Sequence, residues 1–438
     1  MKQRAGVGRT FLLWLDRLAA RRYIHVHIFV AGVLLSSAFA FLIYPAISET
    51  FNAEVDPEFY GLLGRGILKL GTLSYYPDIE PTIQRGPIYP VFIAFILAVT
   101  RGWYPYGIQA ANSLLFGLIC LAVFWLSEKY WDRRTAVLAS LACCLNPLLI
   151  WLTGRIWAEI LVAFLLMLLI GLIFQLAQRP AVTKAILAGV VLGAMILTKQ
   201  TFFPFAFFIP LLLLFLVPSI RRCHCVLIGL VALVMVIPWT IRNWSLTGKI
   251  VVVHSKGGIQ IQMGDKHLEE LHSFPFLAFE PGPRMVMEML STVPEMPHDL
   301  RPQEKEVLLD SFLIKRSFQR YWDDPGFFFR KLAMNAYMFW FSGASLGKSI
   351  VITIVQLPIL VLFILWCVGL IRRKAFRTVH GVNVVFVWLY FGLHLPLFAI
   401  ARYSSILIPI MTMYAASRCL AFLKDDGGSV GPLELFES

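Results

Sequence analysis

The sequence alternates long apolar segments with short basic links, and this alternation restricts the chain to a membrane fold. A helix needs roughly 20 apolar residues to cross a hydrocarbon core of about 30 Å, and several segments approach that length. Lipid offers no hydrogen-bond partners to the backbone, so these segments must be helices. With 58% hydrophobic and 15% charged residues, the chain is also too apolar for a soluble domain. We therefore predict an all-α polytopic membrane protein.

The net charge of +13 is explained by membrane topology and does not require nucleic acid as a partner. The basic residues cluster in links that are expected to stay cytoplasmic. These links are "SEKYWDRRT", "AQRPAVTK", "SIRRCH" and "IRRKAFRTVH". Residues 1–25 are basic too and lack a small-residue cleavage site, so we predict a cytoplasmic amino-terminal segment that is not a removed signal.

About ten transmembrane helices are predicted, with both chain ends in the cytoplasm. Their ranges are 26–47, 107–127, 134–152, 157–178, 182–199, 202–219, 223–241, 350–371, 380–400 and 403–422. The segment "IYPVFIAFILAVT", 88–100, is too short to cross comfortably and predicts an interfacial or re-entrant helix in a first outer loop, 48–106. If it crossed, the arginine-rich links would fall outside.

This topology divides the rest of the chain into four parts. Residues 26–241 form a transmembrane module, and residues 242–346 form an outer loop that ends in an interfacial helix at 327–346. Carboxy-terminal transmembrane helices at 347–422 and a cytoplasmic tail at 423–438 follow. The cysteines lie in predicted spans or at their cytoplasmic ends, so no disulfide framework is implied.

Polar residues are concentrated on the predicted outer face. They are Glu54, Asp56, Glu58, Tyr60, Arg85, Tyr89, Arg155, Glu159, Lys199, Arg242, Asn243, Arg402 and Tyr403, with the loop "HSKGGIQIQMGD". Glu159 begins a strongly apolar helix, where a carboxylate is costly. Lys199 begins the outer link of the next helix pair. Either these two residues face each other or share a polar cavity, or each extends separately to the headgroups.

Several of these residues have two open interpretations. Arg85, before a proline-bounded turn, and Arg402, at the outer end of a span, suit either bilayer phosphates in general or a specific lipid-phosphate ligand. Asp56 is the best candidate for a general base, with Tyr60 one helical turn further along. Asp56 followed by Pro57 is equally a good helix start, and the two roles are compatible. Glu54 is predicted to be a solvent-exposed charge of the loop.

Together these residues resemble the polyprenyl-phosphate-sugar glycosyltransferases of the GT-C superfamily, near the bacterial relatives of protein O-mannosyltransferases and of the lipid A aminoarabinose transferase. The resemblance covers about 26–260 and returns at 402–409. The family's first outer loop carries an Asp-Glu with a Tyr four residues after the Asp. "DPEFY" keeps Asp56 and Tyr60 but has Pro57 second, and Glu58 is a candidate replacement for the missing acid.

Further matches follow in the family's order. They are "RGPIYP" opening an interfacial helix, Asn146 and Pro147 in the third span, Glu159 opening the fourth, Thr198 and Lys199 ending the fifth, "PWTIRNWSLTGKIVVVHSKGG" after the seventh, and the late "ARYSSILIP". The resemblance implies a GT-C-like fold with an outer-face cavity. It also implies transfer of a sugar from a polyprenyl phosphate, usually with inversion, to a lipid, glycan or protein acceptor.

The resemblance assigns roles residue by residue. Asp56 and Glu159 would be catalytic, Asp56 as the base that deprotonates the acceptor. The substrate-binding residues would be Glu58, Tyr60, Arg85, Tyr89, Lys199, Arg242, Arg402 and Tyr403. Some relatives use a divalent cation, but no pair of ligands stands at metal spacing on one helix face, and neither the "CHC" at 223–225 nor the scattered outer histidines favour a metal site. No cofactor and metal-independent chemistry are expected.

The expected location is the bacterial inner (plasma) membrane, with the site on the periplasmic or extracellular side. The main alternative is a secondary transporter or flippase, because intramembrane charges also mark substrate paths. Transporters tend to have inverted repeats and broken helices at mid-membrane, whereas these polar residues gather on one face. A non-catalytic scaffold would leave them unexplained.

Overall fold

The computed structural model describes residues 2–48, 55–270 and 291–425, and every regular element in these ranges is a helix. The helices are α1 Lys2–Ala19, α2 Ile24–Ile47, α3 Tyr60–Leu70, α4 Ile88–Val99, α5 Tyr106–Tyr130, α6 Arg133–Cys144, α7 Pro147–Thr153, α8 Glu159–Gln178, α9 Val182–Thr198, α10 Phe205–Leu216, α11 Arg222–Thr247, α12 Gly257–Glu270, α13 Pro302–Asp323, α14 Pro325–Phe341, α15 Leu346–Arg372, α16 Val379–His394 and α17 Ala401–Leu423. Glu54 and the predicted tail at 426–438 lie outside the described residues.

Within the described ranges, six helices are long and apolar enough to cross a membrane: α2, α5, α8, α11, α15 and α17. The predicted all-α polytopic fold is confirmed, but the count of ten spans is not. Three predicted spans correspond to the shorter apolar helices α9, α10 and α16. The predicted span 134–152 is a pair, α6 and α7, bent by 55°. The predicted interfacial helices correspond to α4 and α14, and α14 ends at Phe341, before a turn that leads into α15.

Polar caps satisfy free amides of the first turn at the starts of α6 and α7. Asp132 accepts from the Thr135 amide at the start of α6. Asn146 accepts from the Leu148 and Leu149 amides, with Pro147 at the first helical position of α7. The Asn-Pro pair therefore produces the bend, because it ends one helix and begins the next.

Small residues allow the membrane helices to pack closely, as is usual where lipid provides no hydrophobic driving force. A Cβ added at Gly189 of α9 would lie 2.7 Å from the Val231 side chain of α11. At Gly193, one turn later, it would lie 2.9 Å from the Met235 side chain. The pair α9–α11 is thus held at a separation that only glycine permits.

Helices α12, α13 and α14 form a unit beside the first loop. Its centre is the fully buried pair Lys331–Asp265, with an Nζ to Oδ1 distance of 2.7 Å. The Lys331 ammonium also donates to the Ile261 carbonyl oxygen and to the Tyr321 hydroxyl, so its charge is fully coordinated. Glu306 of α13 accepts from the Ile83 amide, which joins this unit to the segment that carries Arg85.

Candidate active site

Asp56 lies in a tight turn ahead of α3 and binds the start of that helix. Its two carboxylate oxygens accept from the Tyr60 amide at 2.8 Å and the Gly61 amide at 2.7 Å. The Tyr104 hydroxyl donates a third bond at 2.9 Å. The helix begins at Tyr60, three residues later than a simple cap at Asp56 would place it, because Phe59 adopts a left-handed conformation. Asp56 therefore caps α3, in a form different from the one predicted.

Five charged residues from distant parts of the sequence form one continuous network. Glu58 accepts from Arg85 at 2.7 Å and from Arg402 at 2.5 Å. The Arg402 Nε donates to Glu159 at 2.7 Å, and Glu159 also accepts from Lys199 at 2.7 Å. Glu159 and Lys199 therefore face each other, which was one of the two interpretations left open by the sequence. Three cations stand against two carboxylates, so one positive charge is in excess in a site shielded from water, which suits an anionic group.

Backbone contacts between links bring these residues together. The Ile156 amide donates to the Val55 carbonyl oxygen at 2.7 Å, which places the turn before α3 against the start of α8. The segment of Arg85 packs on the end of α9 through Gly86, where an added Cβ would lie 2.0 Å from the Leu197 carbonyl oxygen. Glu58 therefore lies near Glu159, and Arg85 near Lys199, because their flanking backbones touch.

Replacing Gly86 with alanine should destabilise the protein and weaken the network, because the new methyl group meets a backbone oxygen that cannot rotate away. We expect a loss of about 1–3 kcal/mol, the usual cost of overpacking. The thermal unfolding midpoint in detergent measures it. Gly392→Ala in α16 is the control, since an added Cβ there meets no atom within 4 Å. Equal midpoints for the two variants would contradict the contact.

The two carboxyl groups of the turn before α3 have opposite electrostatics. Burial raises the pKa of Asp56 above its ordinary value, and the amide bonds and the Tyr104 hydroxyl only partly offset this. Burial also acts on Glu58, but the charges of Arg85 and Arg402 outweigh it and hold its pKa well below the usual range. Asp56 is thus the better proton acceptor, and Glu58 is a fixed negative charge.

A largely apolar cavity of about 510 Å³ opens beside the network. Its walls come from α2, α7, the link to α8, the α14–α15 connection and the start of α15, at helix ends predicted to face outward. The lining residues are Phe39, Tyr44, Ile47, Ser48, Pro147, Leu148, Trp151, Trp157, Ser342, Gly343, Ala344, Gly347, Lys348, Val351, Ile352, Ile400 and Arg402. The Arg402 guanidinium lies 3.9 Å from the Trp157 ring centroid. Arg402 therefore belongs both to the cavity and to the network.

The remaining predicted site residues lie at different distances from this centre. Rings of Tyr60 and Tyr403 face the cations, with Arg85 5.0 Å from the Tyr60 centroid and Lys199 5.0 Å from the Tyr403 centroid. Tyr89 is fully buried and packs edge-on against Tyr60. Arg242 donates to the Thr82 carbonyl oxygen and stacks on Trp239, so it connects α11 to the first loop. Neither Tyr89 nor Arg242 lines the cavity.

Residues that sequence reasoning did not select also lie here. Trp151, Trp157, Ser342 and Lys348 line the cavity. Lys256, in the predicted outer-face loop "HSKGGIQIQMGD", lies near the charges of Arg85 and Glu58, and burial together with Arg85 lowers its pKa to about 7. The available signals were two tryptophans flanking an outer link and a lysine in the first turn of a span. Within the described ranges, no group of three or more His, Cys, Asp and Glu side chains could hold a metal ion.

No protein-family model matches this sequence, and no curated protein sequence matches it. Among solved structures, the fold is similar to the oligosaccharyltransferase AglB of Archaeoglobus fulgidus, in complex with an inhibitory peptide and a dolichol-phosphate. The TM-score is 0.53 at 14% identity, over 95% of this chain and 53% of AglB. An Archaeoglobus fulgidus oligosaccharyltransferase tethered to an acceptor peptide gives a TM-score of 0.55 at 15% identity, over 93% of this chain and 50% of that chain. This chain thus spans about half the length of the enzyme it matches.

A further similar structure is ArnT from Cupriavidus metallidurans bound to undecaprenyl phosphate, with a TM-score of 0.41 at 15% identity, over 92% of this chain and 77% of ArnT. AglB belongs to the GT-C superfamily. The predicted resemblance to GT-C glycosyltransferases is therefore confirmed as a likeness of fold, in a multi-pass membrane protein.

Proposed function

We propose that this protein is an inverting glycosyltransferase that moves a sugar from a polyprenyl-phosphate donor to a lipid, glycan or protein acceptor. One observation carries the proposal: Arg402 lines the apolar cavity and also bonds to both carboxylates of the charged network. A lipid phosphate needs an apolar wall for its chain and a cation for its head. AglB, of similar fold, binds a dolichol-phosphate, which supports this donor class.

In the proposed reaction, the acceptor hydroxyl gives its proton to Asp56 while its oxygen bonds to the anomeric carbon. The bond from that carbon to the phosphate oxygen breaks, and the polyprenyl phosphate leaves with the electron pair. Arg402 stabilises the charge that develops on the phosphate. Glu58 and Glu159 hold Arg402, Arg85 and Lys199 in place, and the network's excess positive charge favours the leaving anion.

The other predicted contacts fit around this centre. Tyr60 and Tyr403 would face the sugar from either end of the network, whereas Tyr89 and Arg242 would act through the residues they pack against. We place the site on the periplasmic or extracellular face of the bacterial inner membrane. The basic links would then stay cytoplasmic. We also propose that the transfer does not depend on a metal ion.

Purified protein in proteoliposomes, given a defined polyprenyl-phosphate sugar and an extract of envelope acceptors, should release free polyprenyl phosphate. The linkage in the product should have inverted anomeric configuration, because in the proposed reaction the acceptor attacks the anomeric carbon from the face opposite the leaving phosphate. Mass spectrometry measures the release, and NMR of the product gives its configuration. Movement of the intact sugar lipid across the vesicle bilayer without cleavage would instead identify a flippase.

A further inference from the structure

We propose that the connection between α14 and α15, residues 342–348, holds the phosphate of a lipid whose chain occupies the cavity. This rests on the proposed function, in which that lipid is the sugar donor. The ligand chemistry is a lipid phosphate, which is a diester in the sugar donor and a monoester in the polyprenyl phosphate released after transfer. None of these residues was a candidate from the sequence, and the proposed cations Arg85 and Lys199 do not line the cavity.

Unsatisfied hydroxyl groups at the cavity are the first evidence. Ser342 has a side chain that is 1% exposed, and its Oγ has no hydrogen-bond partner among the described residues. Ser48, on the α2 side of the cavity, has a buried hydroxyl in the same state. A buried hydroxyl without a partner costs free energy, so a ligand that hydrogen-bonds to these hydroxyl groups would be stabilised in the cavity. Phosphate oxygens accept hydrogen bonds from hydroxyl donors.

The charge of Lys348 is the second piece of evidence. Lys348 is exposed at the cavity, with its Nζ 5.7 Å from the Trp151 ring centroid, and within the described part of the chain it joins no ion pair. By contrast, Arg85 and Lys199 are each bonded to a carboxylate. Lys348 therefore offers a charge that no carboxylate neutralises, and a lysine ammonium binds phosphate as a point charge.

The start of α15 adds a third contribution at the same place. Ser345 caps this helix of 27 residues by accepting from the Lys348 amide. Gly347 lines the cavity, and a Cβ there would meet no atom within 4 Å, so the first turn is open to a ligand. The first-turn amides and the positive end of the helix dipole favour an anion.

Arg402, which also lines the cavity, completes the arrangement. The Ala401 amide donates to the Ser342 carbonyl oxygen at 3.0 Å, so the turn that carries Arg402 is fixed to the connection. A phosphate held by Lys348, Ser342 and Arg402 would lie between the apolar cavity and the charged network. Its sugar could then extend toward Glu159 and Glu58.

Binding of a polyprenyl monophosphate to the full-length protein in nanodiscs tests this assignment, with polyprenol and phosphatidic acid as comparison lipids. Lys348→Ala should weaken binding of the monophosphate about tenfold, and Ser342→Ala about threefold, because each removes a hydrogen bond to a charged group. Lys348→Arg should retain most of the affinity. Lys315→Ala, an exposed lysine of α13 away from the cavity, is the matched control and should bind as wild type does.

Polyprenol lacks the phosphate, so wild type and Lys348→Ala should bind it equally. Unchanged monophosphate affinity in Lys348→Ala would overturn the proposal even if sugar transfer is observed. If phosphatidic acid at equal concentration displaces the polyprenyl monophosphate from the wild type, the site binds bilayer phosphates in general. That result would overturn the assignment of the ligand as the sugar donor. Loss of binding in Lys348→Ala without any transfer by wild type would support the phosphate site while rejecting the proposed function.

Discussion

Replacing Asp56 with asparagine should reduce sugar transfer by about a hundredfold or more, because a positioned general base contributes roughly 10²–10⁴ in rate. Asparagine keeps an oxygen for one of the α3 amides but cannot take the proton of the acceptor. Transfer by the wild type should also decline as the pH falls through the raised pKa of Asp56, because only the carboxylate acts as base. Initial rates of polyprenyl phosphate release across a pH series measure both effects.

The helix-cap role of Asp56 requires its own control. Asp132→Asn makes the same chemical change at the cap of α6, which is not part of the site. Asp132→Asn should change stability by less than about 1 kcal/mol, because asparagine caps a helix about as well as aspartate. Asp56→Asn should lose about 1 kcal/mol, because one of the two amides bound by the carboxylate loses its acceptor. Only Asp56→Asn should lose transfer. A rate loss in Asp56→Asn that follows its unfolding midpoint, and disappears at lower temperature, would show that Asp56 is a cap alone.

Replacing Arg402 with methionine should give the largest loss of stability. The substitution takes one cation from both Glu58 and Glu159, and the Glu159 side chain is only 1% exposed. Removing one partner of a buried ion pair costs about 3–5 kcal/mol. We expect the lower end, because Arg85 and Lys199 remain. The thermal unfolding midpoint in detergent is the measurement.

Further variants separate the network from an ordinary surface contact. Arg330→Met removes an exposed pair with Asp324 and should change stability by at most about 1 kcal/mol. Glu159→Gln should cost less stability in the Arg402→Met background than in the wild type, because there it breaks only the bond to Lys199, whereas in the wild type it breaks the bonds to both Lys199 and Arg402. Arg402→Lys should restore little, because one ammonium lacks the fork that reaches both carboxylates. Additive effects of Glu159→Gln and Arg402→Met would contradict a shared network.

Much of the fold was predictable because the rules for membrane spans are local. Length and apolar composition located the ends of α2, α5, α8, α11, α15 and α17 to within six residues. The span at 134–152 was predicted as one helix because hydropathy averages over a window. The Asn146 cap breaks it through a contact of one side chain with two amides, which hydropathy does not register.

The site was predicted as a set of residues and not as a geometry. Glu159 was predictable from the free-energy cost of placing a carboxylate at the start of an apolar helix, because such a group needs a partner. Lys199 is that partner in the structure. The double role of Arg402 was not predictable, because Glu58 lies 344 residues away along the chain. The sequence contains no signal for a binding role of Lys348, since a lysine near the end of a membrane span is common.

The sequence by itself determined that this chain is a bundle of membrane helices with acidic and basic residues gathered toward one face. Apolar length, link charge and the cost of isolated carboxylates act within a single segment, so one sequence is enough to read them. Only the tertiary structure decided which charges pair, that Asp56 holds the start of α3, and that Arg402 joins the charged network to an apolar cavity. These depend on close contacts between links far apart in the chain, such as Val55 with Ile156 and Gly86 with Leu197, which no local pattern encodes.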